Sequence, residues 1–130
     1  MANKKEDEET NESYEIKGKQ VVNATGVFAD DVLKMDSPNA KKTIAPSQGV
    51  HLVLDKSFLP DNDAIMIPKT DDGRVLFLVP WHGRVVVGTT DTPIKEESLE
   101  PIALEEEIEF ILNTAARYLK KAPKRSDVLS

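Results

Sequence analysis

Cysteine is missing from all 130 positions, so disulfides, a thiolate nucleophile and thiolate metal ligands are excluded. Histidine is scarce. His51 and His82 are the two present, and they lie too far apart for the H-x-x-x-H spacing of a helical zinc site. No metal site is expected. Basic residues are outnumbered, 17 against 23 acidic ones, and the resulting net charge of −6 argues against a nucleic-acid footprint. No apolar run approaches the roughly 20 residues that span a bilayer. The six glycines never fall into G-x-G-x-x-G or G-x-x-x-x-G-K-[ST], so the chain carries no dinucleotide or P-loop fingerprint of its own. Met1-Ala2 runs directly into a charged stretch from Asn3 to Glu9, and no secretory leader is expected. Together with the missing cysteines, this gives an expectation of a cytoplasmic chain.

What is present suffices for one domain. A hydrophobic fraction of 39% and a charged fraction of 31% suit a globular core with polar flanks. The chain is organised around Val75 to Asp91, VLFLVPWHGRVVVGTTD. Two apolar, β-branched runs, Val75–Val79 and Val85–Val87, flank Trp81-His82-Gly83, which predicts a β-hairpin turning near Gly83. Val75–Val79 is apolar at both parities, so that strand is expected to be covered on both faces.

Residues 1–12 are charged and predict a flexible terminus. Ser13–Lys17 alternates and predicts a strand, and Val21-Val22 a second short one. Val27 to Met35 reads as a short helix with Phe28, Val32 and Met35 on one face, stopped at Ser37-Pro38-Asn39. Further strands are predicted over Val50–Leu54 and Ala64–Ile67, with a bent entry at Pro46 and Gly49. With the hairpin these read as a four-strand antiparallel meander. Leu104 to Lys121 is the strongest helix. Leu104, Ile108, Ile111, Leu112, Ala115 and Leu119 form its stripe, with Glu105, Glu106 and Glu107 in its first turn and Lys120 and Lys121 in its last. The fold class expected is therefore α+β: an antiparallel sheet of about four to six strands with a C-terminal helix on one face.

No complete catalytic constellation stands out. The Asn23-Ala24-Thr25-Gly26 segment fits either a tight turn after a strand or a place where a ligand approaches the backbone. His51, close behind Gly49 at a strand entry, fits either a sheet histidine or a substrate or cofactor contact. Gly88-Thr89-Thr90-Asp91 fits either a bend capped by its own side chains or a ligand-side loop. His82 reads as a turn residue and Trp81 as a core or rim aromatic.

VVNATGVFAD (21–30), PSQGVHLVL (46–54), LFLVPWHGRVVVGTTDTP (76–93) and the final helix with its Lys124-Arg125-Ser126-Asp127-Val128 tail occur in one order. That ordered set resembles the middle of the FAD-dependent glycerol-3-phosphate dehydrogenases, members of the flavoprotein class that includes D-amino-acid oxidase. The resemblance covers about residues 13–130. It implies that residues 13–35 are the edge of an FAD-binding domain and that 44–130 are a truncated substrate-binding domain. It also implies that Ala24, Thr25 and Gly26 lie beside the cofactor, and that Gly49, His51, Thr89 and Thr90 lie on the substrate side, with His51 as the candidate catalytic group. In this family the sheet roofs the flavin ring. The dinucleotide fingerprint lies upstream of the matching region, and a G-x-R-P segment with a substrate-binding arginine lies downstream.

The implied reaction oxidises sn-glycerol 3-phosphate to dihydroxyacetone phosphate, with electrons passing through FAD to a quinone at the inner face of a membrane. By this reading the chain is a piece of such an enzyme, inactive and FAD-free without its FAD-binding domain. One sheet face then lacks its cover, and self-association is expected. Two alternatives stay open: another FAD-dependent oxidoreductase of the same class, and a free-standing α+β binding module.

Overall fold

The computed structural model describes residues 2–6 and 13–130. The chain divides into two compact units, Met1–Ile44 and Ala45–Ser130.

In the first unit, strands β1 (Ala2–Glu6) and β2 (Ser13–Lys17) pair antiparallel. β1 falls within the residues 1–12 read as a flexible terminus, and its partner is the strand predicted over Ser13–Lys17. Residues 1 and 7–12 lie outside the described residues. Val21 and Val22 are exposed and belong to no strand. The polar and small residues on either side leave them no apolar face to bury. A single 3-10 turn over Gly26–Phe28 leads into helix α1 (Ala29–Asp36). Phe28 and Val32 are half-buried, while Met35 points to solvent. The polar anchor of this unit is Asp30. Its buried carboxylate accepts from Thr43 N–H at 2.8 Å, Thr43 Oγ1 at 2.6 Å and Ile44 N–H at 2.9 Å. The Thr43 hydroxyl foremost, then the two backbone amides, hold its pKa below the ordinary aspartate value.

The second unit is the α+β body. Strands β4 (His51–Asp55), β5 (Ile65–Ile67), β6 (Leu76–Trp81) and β7 (Arg84–Gly88) form an antiparallel sheet in the order β4-β7-β6-β5. A small second pairing joins β3 (Ser47–Gln48) to β8 (Thr92–Pro93). Helix α2 (Glu105–Ala116) packs against the larger sheet. The β6–β7 turn is a two-residue hairpin in which His82 (φ 45°) and Gly83 (φ 73°) are both left-handed, the backbone that matches the twist of the flanking strands.

The strand order corrects the expected meander. β4 lies beside β7, a Greek-key arrangement. The link from β4 to β5 is too long for a hairpin and sends Phe58 and Leu59 into the core, so β5 emerges at the far edge. Helix α2 is also shorter than the predicted Leu104–Lys121. Its last turn tightens at Arg117 and Tyr118, whose amides bond to the carbonyls of Thr114 and Ala115 three residues back. Arg117 then forks onto Asp71 of the β5–β6 connection at 2.6 and 2.8 Å.

The sheet has two unlike faces. Leu52, Leu54, Ile67, Leu76, Leu78, Val85 and Val87 point inward onto Ile108, Ile111, Leu112 and Ala115 of α2. At roughly 1.5–3 kcal/mol for each fully buried aliphatic side chain, this layer holds the unit together. The other parity carries His51, Met66, Phe77 and Trp81, all exposed, with Val53, Val79 and Val86 half-buried between them. Of the two-sided cover expected for Val75–Val79, one side is present and the other is the face expected to lack it. Leu76 and Leu78 are buried, while Val75 and Phe77 stay exposed at 41% and 44%, because within this unit only α2 supplies a covering layer.

Candidate functional site

On the open face, exposed apolar side chains, an imidazole and a gap in the side-chain layer coincide. Pairing sets up a row across the sheet: Met66 opposite Phe77, Phe77 opposite Gly88, Gly88 opposite His51. Gly88 leaves the gap, and the His51 ring lies across it. A Cβ at Gly88 would stand 2.9 Å from His51 Cγ and 2.9 Å from the Val50 carbonyl oxygen. No other residue at position 88 permits this seat without displacing the ring. His51 is exposed, so a neutral imidazole there offers one donor and one acceptor to whatever meets the face.

Behind the row, the chain after β7 is held by a buried carboxylate. Glu107, in the first turn of α2, is 3% exposed. Its Oε1 accepts from Thr90 Oγ1 at 2.9 Å and Thr92 Oγ1 at 2.5 Å. Its Oε2 accepts from Gln48 Nε2 at 2.6 Å and from the Leu104 N–H at 2.9 Å, the latter being the acidic half of a capping box. Thr90 Oγ1 in turn accepts from the Val50 N–H at 2.9 Å, one residue before His51. Burial works to raise the Glu107 pKa, but the bonds from Thr92, Leu104, Gln48 and Thr90 outweigh it and the pKa falls below the ordinary glutamate value. The group is an anion fully occupied by donors.

The residues singled out in the sequence fall into two sets. Gly49, His51, Thr89 and Thr90 come together at the β4 entry and the β7 exit: a Cβ at Gly49 would lie 3.0 Å from Thr89 Oγ1 and 3.2 Å from the Thr90 carbonyl. Thr89 Oγ1 donates to the Thr90 carbonyl at 3.1 Å, and the Thr90 hydroxyl is buried and committed to Glu107. Of this set, His51 is the member with an exposed side chain bearing hydrogen-bonding atoms. Ala24, Thr25 and Gly26 belong to the first unit. There Thr25 Oγ1 donates to Asn23 Oδ1 at 2.8 Å, and Asn23 Nδ2 donates to the Ala29 carbonyl at 2.8 Å. The segment thus ties its own turn, and the space beside Gly26 is open, with nothing within 4 Å of where a Cβ would stand. Among the described residues no cluster of three or more His, Asp or Glu side chains could hold a metal ion.

Glu107 was missed by sequence reasoning. In the run Glu105-Glu106-Glu107 each carboxylate complements the helix dipole equally well. The available signal is the position of Glu107, three residues after Leu104 at the helix entrance, where a glutamate can bond back to the backbone.

Comparison with known proteins matches residues 3–130 to the model of the FAD dependent oxidoreductase family. The mitochondrial glycerol-3-phosphate dehydrogenase of Schizosaccharomyces pombe is 41% identical over 133 residues, covering 95% of this chain and 20% of that protein. The mitochondrial glycerol-3-phosphate dehydrogenase of Arabidopsis thaliana is 45% identical over 121 residues, covering 93% of this chain and 19% of that protein. Among solved structures, the glycerol-3-phosphate dehydrogenase of Bacillus halodurans complexed with FAD superposes with a TM-score of 0.88 at 32% identity, covering 99% of this chain and 26% of that one. The chain thus spans about a fifth of the length of these curated relatives.

Proposed function

Because the chain belongs to the FAD dependent oxidoreductase family, we propose that it is the substrate-side portion of an FAD-dependent glycerol-3-phosphate dehydrogenase. The reaction is oxidation of sn-glycerol 3-phosphate to dihydroxyacetone phosphate, with electrons leaving to a quinone. The observation that carries this reading is the His51 imidazole laid over Gly88 on an open, largely apolar sheet face. Similarity to dehydrogenases of that name supports the choice of substrate.

The residues fit the ring end of the cofactor. Phe77, Met66 and Val79 give a flat, uncharged surface of the kind a planar ring system rests on. Ala24, Thr25 and Gly26, with open space beside the Gly26 backbone, are the cofactor-side segment. Nothing in the chain supplies the glycine turn that cradles a pyrophosphate. The chain by itself is therefore expected to lose added FAD on desalting, and a retained stoichiometric flavin absorbance would contradict this.

FAD, when bound, supplies the two-electron acceptor. Converting the secondary alcohol to a ketone also requires the hydroxyl proton to leave as the carbon–hydrogen bond breaks. The hydroxyl donates a hydrogen bond to the unprotonated nitrogen of His51, which orients it and can take its proton.

The test is an assay of the dehydrogenase that carries these residues, following reduction of a soluble quinone analogue. Turnover with sn-glycerol 3-phosphate, and none with glycerol or D-amino acids, is expected. Turnover with D-amino acids and none with sn-glycerol 3-phosphate would overturn the substrate assignment.

A further inference from the structure

We propose that Glu107 is a positioning residue for His51, acting through Thr90. The inference rests on the reading of His51 as the substrate contact, and it adds a residue from helix α2 that faces away from the open side of the sheet.

The geometry is a chain of named bonds. The Glu107 carboxylate sits in the first turn of α2 and is buried. It fixes the Thr90 hydroxyl at 2.9 Å. With its proton given to Glu107, Thr90 Oγ1 turns a lone pair to the Val50 N–H, also at 2.9 Å. Val50 immediately precedes the first residue of β4, so the bond at its N–H fixes the Gly49–Val50 peptide, one link before the backbone that carries the His51 side chain. The ring itself lies against the bare Gly88 backbone. The backbone leading into His51 is thus tethered at Val50, and the imidazole is seated in the gap at Gly88. A charged acceptor suits this task. Hydrogen bonds to a carboxylate are stronger and shorter than those between neutral groups, so the Thr90 rotor is locked in one orientation. The remaining bonds to Glu107, from Thr92, Gln48 and Leu104, keep the carboxylate itself from turning.

The two threonines make the proposal testable. Thr90 and Thr92 both donate to Oε1 of Glu107, but Thr90 is the one that also accepts from Val50. Nuclear magnetic resonance of the 130-residue chain would follow the His51 ring signals, the Val50 amide and the methyl signals of Leu52, Leu54 and Val85. Thr90→Val is expected to shift the His51 ring signals and to speed exchange of the Val50 amide roughly 2- to 10-fold, as loss of one hydrogen bond allows. The inner methyl signals should stay in place. Thr92→Val removes an equivalent bond to Glu107 and is expected to leave His51 unmoved. Glu107→Ala should reproduce the Thr90→Val displacement, and where that variant does not fold the threonine pair decides. Equal His51 shifts in both threonine variants, or none in either, would overturn the proposal and reduce Glu107 to a structural cap. No cofactor or substrate enters this measurement. A missing displacement therefore faults the positioning, and a failed quinone assay faults the functional reading.

Discussion

The two faces of the β4-β7-β6-β5 sheet are built from the same strands, residue by alternate residue, yet they do different things. Leu76 and Leu78 on β6 have no exposure, while Phe77 between them is 44% exposed. Leu52 and Leu54 on β4 are buried, while His51 faces out beside them. The inner parity meets helix α2 and makes the fold. The outer parity meets nothing within its unit and carries the imidazole, the gap at Gly88 and an aromatic at each end of the β6 row. A one-residue shift in register would exchange the two, so the pairing that stabilises the core is also what presents the candidate site.

Mutation should separate the faces, with the largest effect inside. Leu54→Ala or Ile111→Ala, each emptying a fully buried position, is expected to cost about 2–5 kcal/mol in urea unfolding followed by circular dichroism. Phe77→Ser on the outer face is expected to cost less than about 1 kcal/mol. Equal losses at the two positions would mean that the outer face is packed in solution. Gly88→Ala should fall between them, at about 1–3 kcal/mol, since its Cβ must displace either the His51 ring or the Val50 carbonyl. Its diagnostic outcome is a shift of the His51 ring signals, which Phe77→Ser should not produce.

A smaller effect separates the faces by pH. The Glu107 pKa is lowered in the folded chain, so its contribution is present above the ordinary glutamate value and is lost as pH falls through the lowered one. Asp72, drawn down to about 2 chiefly by its hydrogen bond from Arg74, contributes in the same direction but fails only in stronger acid. Stability of the native chain should therefore decline below about pH 4.3, where free glutamates titrate. Glu107→Gln should flatten the first part of that decline. An unchanged slope in the variant would remove Glu107 as a source of it. Self-association through the open face is the weakest effect expected. Light scattering should show apparent mass rising with concentration in the native chain and less so after Phe77→Lys, and a monomer at every concentration would contradict it.

Much of this is legible in local sequence pattern. The apolar stripe of Ile108, Ile111, Leu112 and Ala115 lands on the sheet, and Trp81-His82-Gly83-Arg84 makes the hairpin turn. What escaped was long-range or ambiguous in period. Pairing of β4 with β7 depends on where the link through Phe58 and Leu59 runs, and no local preference encodes that. Phe77 reads as buried because an apolar residue between two leucines has the composition of a two-sided core strand. Glu107 reads as one of three dipole-facing glutamates, since its partners Gln48, Thr90 and Thr92 are distant in sequence and meet only once β3 and β8 pair.

The central claim is that the outer face is a reaction site with His51 as its substrate contact. It is tested most directly by His51→Ala in the proposed full-length dehydrogenase, with flavin content and steady-state kinetics measured on the same preparation. The account predicts full flavin occupancy with kcat/KM for sn-glycerol 3-phosphate reduced about 10²-fold or more. Wild-type kcat/KM at full occupancy would contradict it and leave His51 a histidine on an exposed sheet.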